Sequence, residues 1–187
     1  MGSEERMDDI PLRIFALSAE APPLSVLRDA LTVFGPSIQL TLDIVGEASE
    51  EDLTIVDWEA VFVRWMQPEL HEICLIERSR TGDEDEAVEA IEHGLRMIVN
   101  TTDVAGGLII GDHLRRSEAI YDLEILPALL VEDDHPGWAA IDILLRTLAA
   151  HTNGIIYVPA EGFCDADGEL LLAEEDTPNP LMEPDTA

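Results

Sequence analysis

In three separate places the chain sets apolar residues at intervals of three, four and three, and this spacing constrains its fold more than any other feature. Leu24, Leu27, Leu31 and Phe34 form the first set, Val88, Ile91, Leu95 and Ile98 the second, and Trp138, Ile141, Leu145 and Leu148 the third. At about 3.6 residues per turn each set falls on one stripe, which predicts three amphipathic helices that need a surface to cover. The flanks agree. Pro22-Pro23 opens the first helix and Gly35-Pro36 closes it. Asp83, Glu84, Asp85 and Glu86 stand where the second begins, favourable against its N-terminal partial positive charge. Pro136 falls in the first turn of the third, and Asn153-Gly154 ends it.

Between these helices the pattern changes to that of strands. Ile38, Leu40, Leu42 and Ile44 alternate with polar neighbours, as do Tyr121, Leu123 and Ile125. Residues 12–17, 73–76, 108–110, 155–158 and 170–172 are short apolar runs. Residues 58–65 are apolar on both faces, which predicts a more central strand. Asp167-Gly168 is a hairpin-turn signal. Gly107-Leu108-Ile109-Ile110 echoes Gly154-Ile155-Ile156-Tyr157, each after a helical segment, and suggests a helix-strand-strand repeat. The expected fold is α+β: a mainly antiparallel sheet with three amphipathic helices packed on one face. Residues 1–10 read as a flexible leader, 11–173 as a single domain, and 174–187, with three prolines and five acids, as a solvated tail.

The charge over this core is extreme. The 187 residues include no lysine, 10 arginines and 40 acids, for a formal net charge of −30. Direct binding of nucleic acid or of an anionic membrane needs clustered cations, and Arg115-Arg116 is the sole adjacent basic pair. No apolar run approaches a membrane span, and no signal peptide opens the chain, so a soluble cytoplasmic protein is expected. Acid that meets a basic partner and acid that keeps a protein soluble in salt both account for such a surface.

Candidate chemistry is sparse. His71, His93, His113, His135 and His151 are scattered without metal-ligand spacing, although Asp112-His113 and Asp134-His135 pair a carboxylate with an imidazole. Cys74 and Cys164 form no CxxC and read as buried thiols. Asp165-Ala166-Asp167-Gly168-Glu169 has the look of a calcium loop, but Leu170 and Asp176 stand where such a loop needs Gly and Glu. No catalytic residue, metal site or cofactor is therefore assigned. A hydrolase or metal protein would need two or three of His71, His113, His135, Asp112 and Cys164 to converge. Trp58, Trp65 and Trp138 read as core, and an exposed one beside acid would become a candidate interface anchor.

From Asp133 to Leu172 the chain reads Asp-Asp-His-Pro-Gly-Trp-Ala-Ala-Ile-Asp, then Leu-Leu-Arg, Thr-Asn-Gly-Ile-Ile-Tyr and Glu-Gly-Phe-Cys-Asp-Ala-Asp-Gly. This resembles the C-terminal part of a group of uncharacterised bacterial proteins of small α+β type, and shares a general look with polymorphic-toxin immunity proteins. The resemblance implies a helix, a glycine-marked strand and a hairpin, and it carries no catalytic residue across. Together these features lead to a non-enzymatic acidic interaction protein that binds a basic protein partner, as an immunity protein or inhibitor does. The candidate partner-binding residues are Glu47, Glu50, Glu51 and Asp52 in a loop, Asp83, Glu84, Asp85 and Glu86 at a helix start, and Glu132, Asp133 and Asp134 at another.

Overall fold

The computed structural model describes residues 11–42, 54–82, 85–99, 101–131 and 134–174. Eight strands form one sheet: β1 (Leu12–Ala16), β2 (Ile38–Thr41), β3 (Ala60–Trp65), β4 (His71–Arg80), β5 (Ala119–Ile125), β6 (Ile155–Val158), β7 (Gly162–Cys164) and β8 (Leu170–Ala173). Their order across the sheet is β2-β3-β4-β5-β1-β6-β7-β8, and every pairing is antiparallel. Five α-helices accompany it: α1 (Leu24–Ala30), α2 (Asp85–Ile98), α3 (Val104–Arg116), α4 (Pro127–Leu130) and α5 (Gly137–Thr152), with a 3₁₀ segment over Thr32–Ser37. The α+β class expected from the sequence is the class observed, with six helical segments in place of three.

The helices do not share one face. Successive side chains of a strand point to opposite sides, and in the central strands both sides are apolar. Ile14 of β1 packs in a core with Leu24 and Leu27 of α1 and Ile141, Leu144 and Leu148 of α5. Phe15, the next residue, packs on the other side with Ala87 and Ala90 of α2 and Ile110 and Leu114 of α3. Ile120 and Tyr121 of β5 divide in the same way, as do Ile155 and Ile156 of β6. Each of these side chains gains roughly 2 kcal/mol from burial, so a bare second face would be costly. The expected one-sided layer is thus corrected to helices on both sides.

The segment read as a strand at 108–110 is the middle of α3. Asp103 caps this helix, its Oδ1 accepting from the Gly106 backbone N–H at 2.9 Å. The buried positions are Gly107, Ile110, Gly111 and Leu114, which is helical spacing with glycine at two of the four places. A side chain at Gly107 would press on Thr101, and one at Gly111 on Ile98, so the glycines let α3 approach α2 closely. The apparent repeat ends there, because Gly107–Ile110 is helix whereas the matched residues form β6.

Other elements follow the pattern more nearly. Phe34 lies beyond α1 in the 3₁₀ segment, and Val88 faces outward from α2, whose buried positions are Ala87, Ala90 and Gly94. The 58–65 run becomes β3, one strand in from the edge, and the 73–76 run extends to the ten residues of β4. Asp167-Gly168 does make the β7–β8 turn. Asp165 Oδ1 accepts from the N–H groups of Asp167 and Glu169 at 2.9 and 2.8 Å, and Gly168 takes a φ of +80°. The residues that look like a calcium loop are therefore spent on a backbone turn. Glu174, assigned by composition to the tail, is tied to the sheet: its Oε2 accepts from the Tyr157 hydroxyl at 2.9 Å and from the Ala160 N–H at 2.8 Å.

Candidate functional site

The antiparallel register places a row of charged residues on the sheet face beside α2. Glu77 of β4 lies opposite Asp122 of β5, and Asp122 lies opposite Arg13 of β1. Glu124, two residues along β5, points the same way. The first turns of α2 add Glu86 and Glu89, and its later turns add His93 and Arg96. These residues line a groove of about 950 Å³. Its apolar part is formed by Leu12, Ile125, Leu130 and Trp138.

Negative charge prevails in this groove. Five carboxylates line it, from Glu77, Glu86, Glu89, Asp122 and Glu124, against the guanidiniums of Arg13 and Arg96. Arg13 donates through Nε to Asp122, and Arg96 pairs with Glu92 one turn away at 3.8 Å. Among the described residues Glu77 is ion-paired with no such cation. Partial burial and then the charges of Glu124, Asp122 and Glu86 push its carboxyl above the usual carboxylate range. His93 moves the opposite way. Burial, Arg13 and Arg96 lower its pKa, and its shielded Nε2 has no hydrogen-bond partner among the described residues.

Of the acids singled out from sequence, Glu86 lines the groove and Asp85 is exposed at the start of α2. Asp134 is exposed in the turn before α5, outside the groove. Glu47, Glu50, Glu51, Asp52, Asp83, Glu84, Glu132 and Asp133 lie outside the described residues. Glu77, Glu89, Asp122 and Glu124 also line the groove and were not singled out by the sequence pattern. Asp122 and Glu124 carried a signal as the polar alternates of β5, and the short version of β4 hid Glu77. Trp58 and Trp65 are core, whereas Trp138 is half-buried at the groove.

Of the residues that a hydrolase or metal protein would have needed together, His71 and His135 come near each other, whereas His113, Asp112 and Cys164 are engaged elsewhere. His113 Nε2 is hydrogen-bonded to the Phe15 carbonyl at 2.9 Å, and Asp112 pairs with Arg116 at 3.3 Å. The His71 and His135 rings lie 6.4 Å apart, with Trp65 against His135, and His135 Nδ1 accepts from the Gly137 N–H. Both cysteines are buried free thiols. Burial pushes Cys74 up to about 12, and burial with Glu161 and Asp165 raises Cys164, so neither is poised as a nucleophile. Among the described residues no three His, Cys, Asp or Glu side chains group as metal ligands, and no helix is long and apolar enough to cross a membrane.

No protein-family model matches the chain, and no curated protein or solved structure is significantly similar to it.

Proposed function

We propose that the chain is a non-enzymatic interaction protein that receives a basic segment of a protein partner in the groove between α2 and the sheet. One observation carries this reading: Glu77, Glu86, Glu89, Asp122 and Glu124 converge there with two arginines to offset them. Crowding like charges is unfavourable, and an incoming guanidinium or ammonium group relieves it. Leu12, Ile125, Leu130 and Trp138 offer apolar contact beside the acid, which suits affinity at short range while the −30 charge speeds encounter. An immunity protein or inhibitor of a basic protein has these requirements.

The test is titration with an oligo-arginine peptide, comparing two doubly neutralised variants. Glu77→Gln/Glu124→Gln removes two groove charges, and Glu69→Gln/Glu169→Gln removes two exposed charges elsewhere. Severalfold weaker binding in the first variant alone supports the groove. Equal weakening in both reduces the effect to net charge and sinks the proposal.

A second reading, acidity that serves solubility, is favoured for the remaining charge. Glu59, Glu69, Glu92, Asp142, Glu161 and Glu169 are all exposed, and they are scattered over different elements.

A further inference from the structure

Resting on the reading of the groove as the seat of a basic segment, we infer that this segment is bipartite. A cationic side chain sits on one side of the sheet, and a bulky apolar side chain about three residues away sits on the other. The groove turns around an end of the sheet, where β1 begins at Leu12 and its neighbour β5 ends at Ile125. Arg13 shares its side of β1 with Phe15, and Asp122 and Glu124 share their side of β5 with Ile120. Phe15 and Ile120 both pack in the core under α2 and α3, so the charged wall stands on that side. Leu12, Ile125 and Trp138 pack instead against the opposite core, which also holds Leu129 of α4, the residue before Leu130. The apolar wall of the same groove is therefore on the other side of the sheet.

This separation selects the occupant. At the charged wall, five carboxylates face two guanidiniums, and that of Arg13 is already engaged with Asp122, so a cation is drawn there. The apolar wall gives a charged head no partner, since Leu12, Ile125, Leu130 and Trp138 offer only hydrocarbon and an indole ring. Leu130 is 59% exposed and Trp138 is half-buried, so both have surface left to cover. A leucine-sized side chain covers it favourably, whereas a second cation there gains only the contact of its methylenes. Side chains on the two sides of a sheet end on the order of 10 Å apart. An extended chain advances about 3.3 Å per residue, which sets the spacing at about three residues.

The test is an NMR titration of the full chain with two peptides of equal charge, acetyl-Arg-Arg-Ser-Ser-Leu amide and acetyl-Arg-Arg-Ser-Ser-Ser amide. The leucine peptide is expected to bind about tenfold tighter to the wild-type chain. Leu130→Ser removes that gain and leaves the serine peptide unaffected, which also reports an intact groove. Val131→Ser keeps the gain, because Val131 is 81% exposed but does not line the groove. Glu77→Gln/Glu124→Gln weakens both peptides. Equal affinity for the two peptides, a gain that survives Leu130→Ser, or equal loss in Leu130→Ser and Val131→Ser overturns the inference. If the double variant still weakens both peptides in such a case, the groove keeps its basic ligand and only the bipartite requirement falls. If the double variant weakens neither, both fall together.

Discussion

The guanidinium carbon of Arg78 stands 5.8 Å from the centre of the Trp58 ring, and the two side chains join three segments of the chain. Arg78, on β4, is 1% exposed; it donates to Asp57 Oδ1 at 3.0 Å and to the Ala19 carbonyl at 3.1 Å. Trp58 Nε1 donates to the Pro22 carbonyl at 2.9 Å. The lead-in to α1 and the lead-in to β3 are thus held against the sheet.

The pair Arg78–Asp57 is asymmetric, and its two halves respond differently to mutation. Asp57→Ala leaves a buried guanidinium without its carboxylate and is expected to cost about 3 kcal/mol. Arg78→Met replaces the cation with an apolar chain of similar length, and the exposed Asp57 keeps its ion pair with Arg80, so the cost is about 1 kcal/mol. Urea midpoints of the two variants test the order, which reverses if Arg78 is held mainly by packing.

Glu77 has its folded-state pKa raised, so the folded chain binds its proton more readily than the unfolded chain does. Its charge therefore opposes folding above the folded pKa, and this effect vanishes below the ordinary carboxylate value. Glu77→Gln should make the protein slightly more stable at pH 7, by less than ~1 kcal/mol because the group is largely solvated. The difference from wild type should disappear near pH 4, as measured by urea unfolding at both pH values. Stabilisation accompanied by weaker binding of the basic peptide is the signature of a binding residue.

Burial holds the half-buried His113 below its ordinary pKa of 6.5, with Arg116 adding to this and the Phe15 carbonyl and Asp112 opposing it. The unfolded chain then takes up the proton first, so stability is lost as pH falls below about 6.5. His93 contributes in the same sense. His113→Gln keeps an N–H donor for Phe15 and removes the titration. Its urea midpoint is expected to fall less steeply than that of wild type between pH 7 and pH 5.

The β7–β8 hairpin depends on two residues of the Glu-Gly-Phe-Cys-Asp stretch. Gly162 has a φ of +117°, and a side chain there would collide with the backbone of Leu172 and Ala173. Gly162→Ala should cost roughly 3 kcal/mol or more. Asp165→Ala removes the acceptor of two turn N–H groups and should cost about 1 kcal/mol, whereas Asp165→Asn retains an acceptor oxygen and should cost little. Thermal unfolding of the three variants gives the ranking.

Salt should separate the roles of the acid. Peptide binding in the groove weakens as salt rises. A modest gain in fold stability with salt reflects screening of a −30 chain. Collapse of the fold at low salt would instead assign most of the charge to salt adaptation.

Much of the secondary structure is legible locally. Leu24 and Leu27, and Ile141, Leu145 and Leu148, are buried as their spacing requires, and β1, β5, β6 and β8 fall where the apolar runs lie. Helix α3 was not legible, because two of its four buried positions are glycines, which carry no hydrophobic signal. The groove was legible only in part. Glu86 announced itself in a run of acids, but Asp122 and Glu124 looked like the solvent side of a strand.

By itself, then, the sequence determined the α+β class, the hairpin and the charge, since period, turn residues and acid count are properties of neighbours along the chain. Tertiary structure alone decided that helices cover both sides of the sheet. It also decided that acids from β4, β5 and α2 meet in one groove. Periodicity records that a residue is covered, but which element covers it depends on strand order and register. Those are set by contacts between residues far apart in the chain.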